Sequence, residues 1–115
     1  MRYMSIFKSV ERDTPPTQQE MAAMGALIEE TMKTGELIET GGLLPSKTGF
    51  RVRSSSGKIT VTDGPFTEAK EVVGGYAIVE AKSNEEALAM TKRFLKVAGD
   101  GECEVRPMHE MGDFD

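Results

Sequence analysis

Two capping-box signatures, Thr17-Gln18-Gln19-Glu20 and Ser83-Asn84-Glu85-Glu86, each follow an apolar strand pattern, and together they fix most of what this chain can fold into. In such a box a hydroxyl accepts from the third helical N–H while the glutamate reaches back to the cap residue. After the first box, Met21, Met24, Leu27, Ile28 and Met32 recur at helical spacing, with Glu29, Glu30 and Lys33 opposite. The methionines are taken as core filling, not as a soft-metal box. Gly35 ends this helix as a residue comfortable with positive φ. After the second box, Ala87, Leu88, Thr91, Phe94, Leu95 and Ala98 form one stripe, and Gly99 stops it.

The strands complete the pattern. Arg2 to Val10 alternates Tyr3 and Phe7 against Met4 and Ile6, and the Glu11-to-Pro16 loop ends it at paired prolines. Glu36 to Leu44 reads as a strand disturbed at Gly41-Gly42, by a bulge or a close backbone approach. Phe50-Arg51-Val52-Arg53 and Lys58 to Thr62 read as a hairpin around Ser54-Ser55-Ser56-Gly57. A four-residue loop would set Val52 opposite Ile59 and Phe50 opposite Val61, at the cost of Arg53 facing Lys58. Gly75 to Ala81 is the most apolar strand, and Glu102 to Arg106 is the last. The order β-α-β, hairpin, β-α-β with right-handed crossovers predicts an α+β, ferredoxin-like protomer with both helices on one side of an antiparallel sheet. Phe7, Tyr76 and Ile78 are expected opposite Met4, Ile6, Ala77 and Val79, so the face away from the helices is apolar as well. Leaving it wet is unfavourable. A homodimer with facing sheets and a cavity between them is the expected answer.

At 115 residues the chain is the size of one domain, expected to span 1–115. A net charge of -5 without any basic block argues against nucleic-acid or anionic-lipid partners. No run approaches membrane-spanning length, and the start is too polar for a signal-peptide core. Cys103 is the single cysteine, which excludes an internal disulfide and points to a reducing cytoplasm. It sits in a strand pattern, as a small core residue would. His109 is the one histidine; no second His or Cys stands at metal-ligand spacing, so neither a metal nor another cofactor is expected, and His109 is placed at the surface or a subunit edge. The Gly41-Gly42 and Gly74-Gly75 pairs fit no phosphate-loop pattern.

The chemistry-bearing stretch is Thr60 to Lys70, where a β-branched run enters Asp63-Gly64-Pro65-Phe66. An aspartate in a turn commonly accepts the N–H two residues on, but here that residue is Pro65. Asp63 must therefore cap Phe66 or Thr67 or keep its carboxylate free, and both remain open. A free carboxylate facing an apolar cavity suits a general acid or base. Arg51, Arg53 and Arg106 are candidate anion anchors against the plainer reading of solvated strand faces. Tyr76 could offer a phenolic proton, and Lys70 could bind an anion or pair with Asp63.

These residues carry a resemblance. The opening strand, Met21-Ala22-Ala23-Met24-Gly25, Gly42-Leu43-Leu44-Pro45-Ser46, the block from Val61 to Glu71, Gly75-Tyr76, Glu104-Val105-Arg106-Pro107 and Gly112-Asp113-Phe114 are similar to the YCII-related family, in its branch named for the DGPF motif. The resemblance implies a dimeric α/β barrel built on a ferredoxin-like protomer. It implies no activity, since most members have none assigned. Some members carry a suspected His-Asp pair; this chain has Asp63 but no histidine in its early strands. Some relatives look like neighbours of alternative sigma factors. Three function classes follow. The first is a cofactor-free enzyme of proton-transfer or lyase type, with Asp63 as acid/base, Arg53 or Arg106 as anion anchor, and Lys70 and Tyr76 at the substrate. The second is a ligand-sensing or regulatory module without turnover, and the third a structural dimerisation unit.

Overall fold

The computed structural model describes residues 1–110 and 112. The chain forms β1 (Arg2–Ser9), α1 (Gln18–Thr34), β2 (Leu37–Gly42), β3 (Phe50–Ser55), β4 (Lys58–Asp63), β5 (Val72–Glu80), α2 (Asn84–Ala98) and β6 (Glu102–Pro107), with one 3-10 turn at Ser46–Thr48. The main sheet runs β2-β5-β1-β6, each pair of neighbours antiparallel, and β3 and β4 form a separate two-stranded sheet. This is the ferredoxin-like α+β arrangement. Of Gly112-Asp113-Phe114, which carry part of the resemblance, Asp113 and Phe114 lie outside the described residues.

Both helices begin where their caps require. Thr17 accepts from the Glu20 amide at 3.1 Å while the Thr17 amide donates to Glu20 Oε1 at 2.9 Å, and Gly35 closes α1 at φ 82°. Ser83 accepts from the Glu86 amide at 3.2 Å. The stripes are narrower than the spacing suggests: Met24, Leu27 and Ile28 of α1 are half-buried, whereas Met21, Met32 and Leu88 are exposed.

The register decides which face each strand residue takes. Tyr3 pairs Val79, Ser5 pairs Ala77 and Phe7 pairs Gly75, and these share the helix side. There Tyr3 donates to Asn84 Oδ1 at 2.8 Å, and Phe7 meets Phe94 edge-on at 5.4 Å. The opposite face carries Met4, Ile6, Tyr76 and Ile78. The expected grouping is thus corrected. Directly opposed residues of an antiparallel pair share a face, which moves Phe7 to the helix side and Met4 and Ile6 beside Tyr76. The second face is apolar all the same.

The hairpin is also corrected. Val52 faces Val61, Phe50 faces Asp63 and Arg53 faces Thr60, around a two-residue turn at Ser56-Gly57. Both turn residues have positive φ, 51° and 79°, the geometry that suits the right-handed twist of two strands. The tighter turn removes the Arg53–Lys58 like-charge pair. At Gly41 the anticipated close approach is present, with a Cβ there falling 2.9 Å from the Tyr76 ring. The β2 irregularity lies instead between Leu37 and Glu39.

The molecule is a thin plate, 46 × 43 × 19 Å. A helix is about 10 Å across and packed layers lie about 10 Å apart, so this thickness holds one helix layer on one sheet and no third layer. The radius of gyration is 16.1 Å, against about 13 Å for a compact chain of this length. Among the described side chains only Tyr3, Leu37, Ala81 and Ala87 are buried apolar ones. The accessible surface is 8822 Å², whereas a folded monomer of 12.6 kDa exposes about 6200 Å².

The α1 entrance carries a pH signature. Arg12 donates to both Glu20 oxygens at 3.0 and 3.2 Å, and this pairing, with the Thr17 amide, holds the Glu20 carboxyl at about 2. A lowered carboxyl stabilises the folded state above the ordinary glutamate value, and that contribution is lost as pH falls toward 2. Urea unfolding between about pH 5 and pH 2 is expected to show a smaller acid loss in Glu20→Gln than in the native chain. The difference will be modest for so exposed a pair.

Candidate functional site

The corner after β4 is locked by backbone groups. The Gly64 amide donates to Gly49 O at 2.9 Å, and a Cβ on Gly64 would fall 1.8 Å from Ser46 O, so only glycine fits. The Gly64–Pro65 peptide is cis. Ser46 is the hub: its hydroxyl accepts from the Phe66 amide at 3.2 Å and donates to Glu11 Oε1 at 2.5 Å, while its amide donates to Glu11 Oε2 at 2.7 Å. The hydroxyl first and then the amide hold the Glu11 carboxyl below its usual range. Arg51 lies 3.8 Å over the Phe66 ring and pairs with Glu68. The Glu68 carboxyl is lowered, first by its own backbone N–H and then by Arg51.

Two shallow clefts flank Phe66. The smaller, about 190 Å³, is lined by Val10, Glu11 and Lys70 among others; the larger, about 250 Å³, by Leu43, Leu44, Phe50 and Val73. Asp63 lines neither. Of the alternatives open for Asp63, the exposed carboxylate accepts no hydrogen bond from a described residue, and the Phe66 amide is taken by Ser46. Asp63 continues the hairpin face that carries Ile59 and Val61.

A second polar feature lies on the sheet face away from the helices. Tyr76 donates to Glu39 Oε2 at 2.7 Å, and this bond, ahead of burial, raises the phenol above its ordinary value. The ring is held against Gly41, and Thr40 Oγ1 donates to Tyr76 O at 2.8 Å, pinning the two strands together. Glu39 was not singled out from the sequence. With regular alternation it would share the face of Leu37, but the irregularity at Ile38 turns it to the other side. Along β6 the same face carries Arg106 and Glu104. Glu104 pairs with both Lys8 at 3.4 Å and Arg106 at 3.5 Å.

The structure therefore divides the candidates into separate groups. Tyr76 and Arg106 share the open sheet face, Lys70 borders the smaller cleft, Arg53 lies on the polar side of the hairpin opposite Thr60, and Asp63 is at the base of its apolar side. Cys103 is half-buried on the helix side, where burial pushes its thiol up, against a weaker effect of Ser5. His109 is exposed just beyond β6. Among the described residues no cluster of His, Cys, Asp and Glu has metal-binding geometry, and no helix is long and apolar enough to cross a membrane.

Residues 1–112 match the YCII-related domain. The chain belongs to the YCII-related family. Within reach of this family protein is an uncharacterised protein of Rhizobium meliloti, 30% identical over 89 residues that cover 76% of this chain and 72% of that one. The YCII-related match takes in both the Ser46-centred corner and the Glu39–Tyr76 pair, so each belongs to the family's domain.

Two substitutions separate structure from chemistry at the corner. Gly64→Ala is expected to cost more than about 2 kcal/mol, because backbone must move to admit the methyl group. Asp63→Asn is expected to change stability by less than about 0.5 kcal/mol, as befits an exposed side chain without a partner. Thermal or urea unfolding of both variants checks the pair.

Proposed function

We propose that this protein is a small-molecule-binding homodimer in which two sheets face each other, as in a dimeric α/β barrel, and the Glu39–Tyr76 pair lies on the chamber wall. The observation that carries the proposal is the composition of the open sheet face. Met4, Ile6 and Ile78 form an apolar floor, with the Glu39–Tyr76 hydrogen bond at one side and the Lys8–Glu104–Arg106 ion pairs at the other. An apolar surface with a few convergent polar groups is the usual make-up of a ligand site. Pairing the faces would also remove part of the roughly 2600 Å² by which the chain's surface exceeds that of a folded monomer.

The chemistry of the pair defines the ligand class. Tyr76 spends its one proton on Glu39, so both residues offer acceptor positions to an incoming group. A mostly apolar organic molecule bearing a hydroxyl, amide or other donor fits. If turnover occurs, Glu39 is the group placed to take a proton, with Tyr76 stabilising the carboxylate through its hydrogen bond. Asp63 remains a second acid/base candidate at the corner, and Arg106 an anchor for an anionic substituent on the same sheet face.

Saturation-transfer NMR with a panel of small phenols, amides and hydroxy acids tests this reading. Binders found with the native chain are expected to weaken at least about tenfold in Glu39→Gln, which replaces a charged acceptor by an amide, and in Tyr76→Phe, which removes the phenol oxygen. Binding untouched by either substitution would contradict the assignment. Glu39→Gln should also return Tyr76 toward the ordinary phenol value in an alkaline absorbance titration. In the native chain the raised phenol adds stability that is complete below the ordinary tyrosine value and is lost as pH rises through the folded-state value.

A further inference from the structure

The β3–β4 hairpin is an arm. A four-stranded sheet is about 20 Å wide and its longest strand about 30 Å long, so the 46 × 43 Å plate extends well past the sheet within its own plane. The hairpin's two faces differ sharply. Arg51, Arg53, Lys58, Thr60 and Thr62 lie on one, while Phe50, Val52, Ile59 and Val61 lie on the other. Those four apolar side chains are 58–66% exposed. An isolated two-stranded hairpin is marginally stable in water, and three strands or a packed face are needed to hold it. Among the described residues, Val52, Ile59 and Val61 of this face stay open to solvent, and only Phe50 at its base borders other apolar side chains of the chain.

The same chain carries the complementary hollow. At the base of the arm, the cleft of about 250 Å³ is lined by Leu43, Leu44, Phe50 and Val73, of which Leu44 is 78% exposed and the others 44–66%. An apolar ridge and an apolar hollow on one molecule, both open among the described residues, are what a self-complementary interface requires. Around a two-fold axis each ridge fills the other copy's hollow and the contact closes; without the axis it would propagate as a filament. The surface area points the same way. Met4, Ile6, Tyr76 and Ile78 on the open sheet face are already half-buried within the chain. Leu44, Phe50 and Val61, at 78%, 66% and 62%, are the most exposed large apolar side chains among the described residues, and they lie on the arm and the hollow; the excess of roughly 2600 Å² exceeds the ~800 Å² per partner of a standard interface.

We propose that the hairpin arms are exchanged between two copies of this chain, with Val52, Ile59 and Val61 of each seated in the Leu43–Leu44–Val73 hollow of the other. The occupant is a second copy because the ridge and the hollow that fit each other are both on this sequence. The inference rests on the homodimer reading above and adds to it a second contact, outside the paired sheet faces. Asp63, at the base of the arm opposite Phe50, stays at the rim, where water can reach its carboxylate.

Sedimentation equilibrium of the full chain tests the exchange. Val52→Thr/Val61→Thr keeps strand-forming side chains while removing apolar surface, and Leu44→Ser alters the hollow. Each is expected to raise the dimer dissociation constant at least tenfold with an unchanged circular dichroism spectrum. Because the two changes touch the same contact, combining them should cost less than the product of the separate effects. Ile6→Lys serves as the control for the sheet contact. If Ile6→Lys dissociates the dimer and the arm and hollow variants keep the native constant, arm exchange is overturned and the facing sheets stand. If the arm and hollow variants dissociate and Ile6→Lys does not, the exchange stands and the facing sheets fall. A native chain that stays monomeric overturns both.

Discussion

A four-stranded sheet has two faces, and this chain makes two helices. Everything else in the molecule follows from that mismatch. On one face Tyr3 and Val79 pack with Ala81 and Ala87, and Phe7 meets Phe94. Met4, Ile6, Tyr76 and Ile78 occupy the other, and the plate is too thin for a further layer. Burial of apolar surface stabilises folded chains at roughly 25 cal/mol per Å², so a chain with four buried apolar side chains among its described residues has left much of that stabilisation unrealised.

The corner solves a different problem. Reversing the chain between β4 and β5 could have relied on the Asp63 carboxylate, the ordinary device at such a turn. Instead Ser46, placed 20 residues before Phe66, receives the Phe66 amide, and Glu11 holds Ser46 by both of its donors. Gly64 then packs so closely on Ser46 O that no side chain is admissible. The Ser46 hydroxyl, the Glu11 carboxylate and the Gly64–Gly49 backbone bond hold the corner, and the Asp63 carboxylate accepts none of these bonds. The polar pair on the sheet has a similar logic: Gly41 makes room for the Tyr76 ring, and the irregularity at Ile38 turns Glu39 onto the same side.

Local features were legible from the sequence and long-range ones were not. Thr17, Ser83, Gly35 and Gly99 mark both helices because capping is decided within four residues. The order of elements and the crossover rule then give the sheet. Register is another matter. Pairing Val52 with Ile59 or with Val61 keeps the same side chains on the same face, so apolar pattern alone does not separate them; positive φ at both Ser56 and Gly57 does. The expected grouping of Phe7 with Tyr76 failed for the same reason, since alternation within a strand says nothing of its offset from the next. Ser46 as the partner of Phe66 and Glu39 as the partner of Tyr76 span 20 and 37 residues, and no spacing rule reaches that far. The two-sided apolar character of β1 and β5 was legible, and it is the feature on which the functional proposal depends.

The central claim is that this chain does not persist alone in water. Light scattering coupled to size-exclusion chromatography at micromolar concentration and moderate salt tests it directly. The account predicts a single species of twice the 12.6 kDa chain mass, undiminished on dilution through the micromolar range. A folded, monodisperse species at the mass of one chain would contradict it.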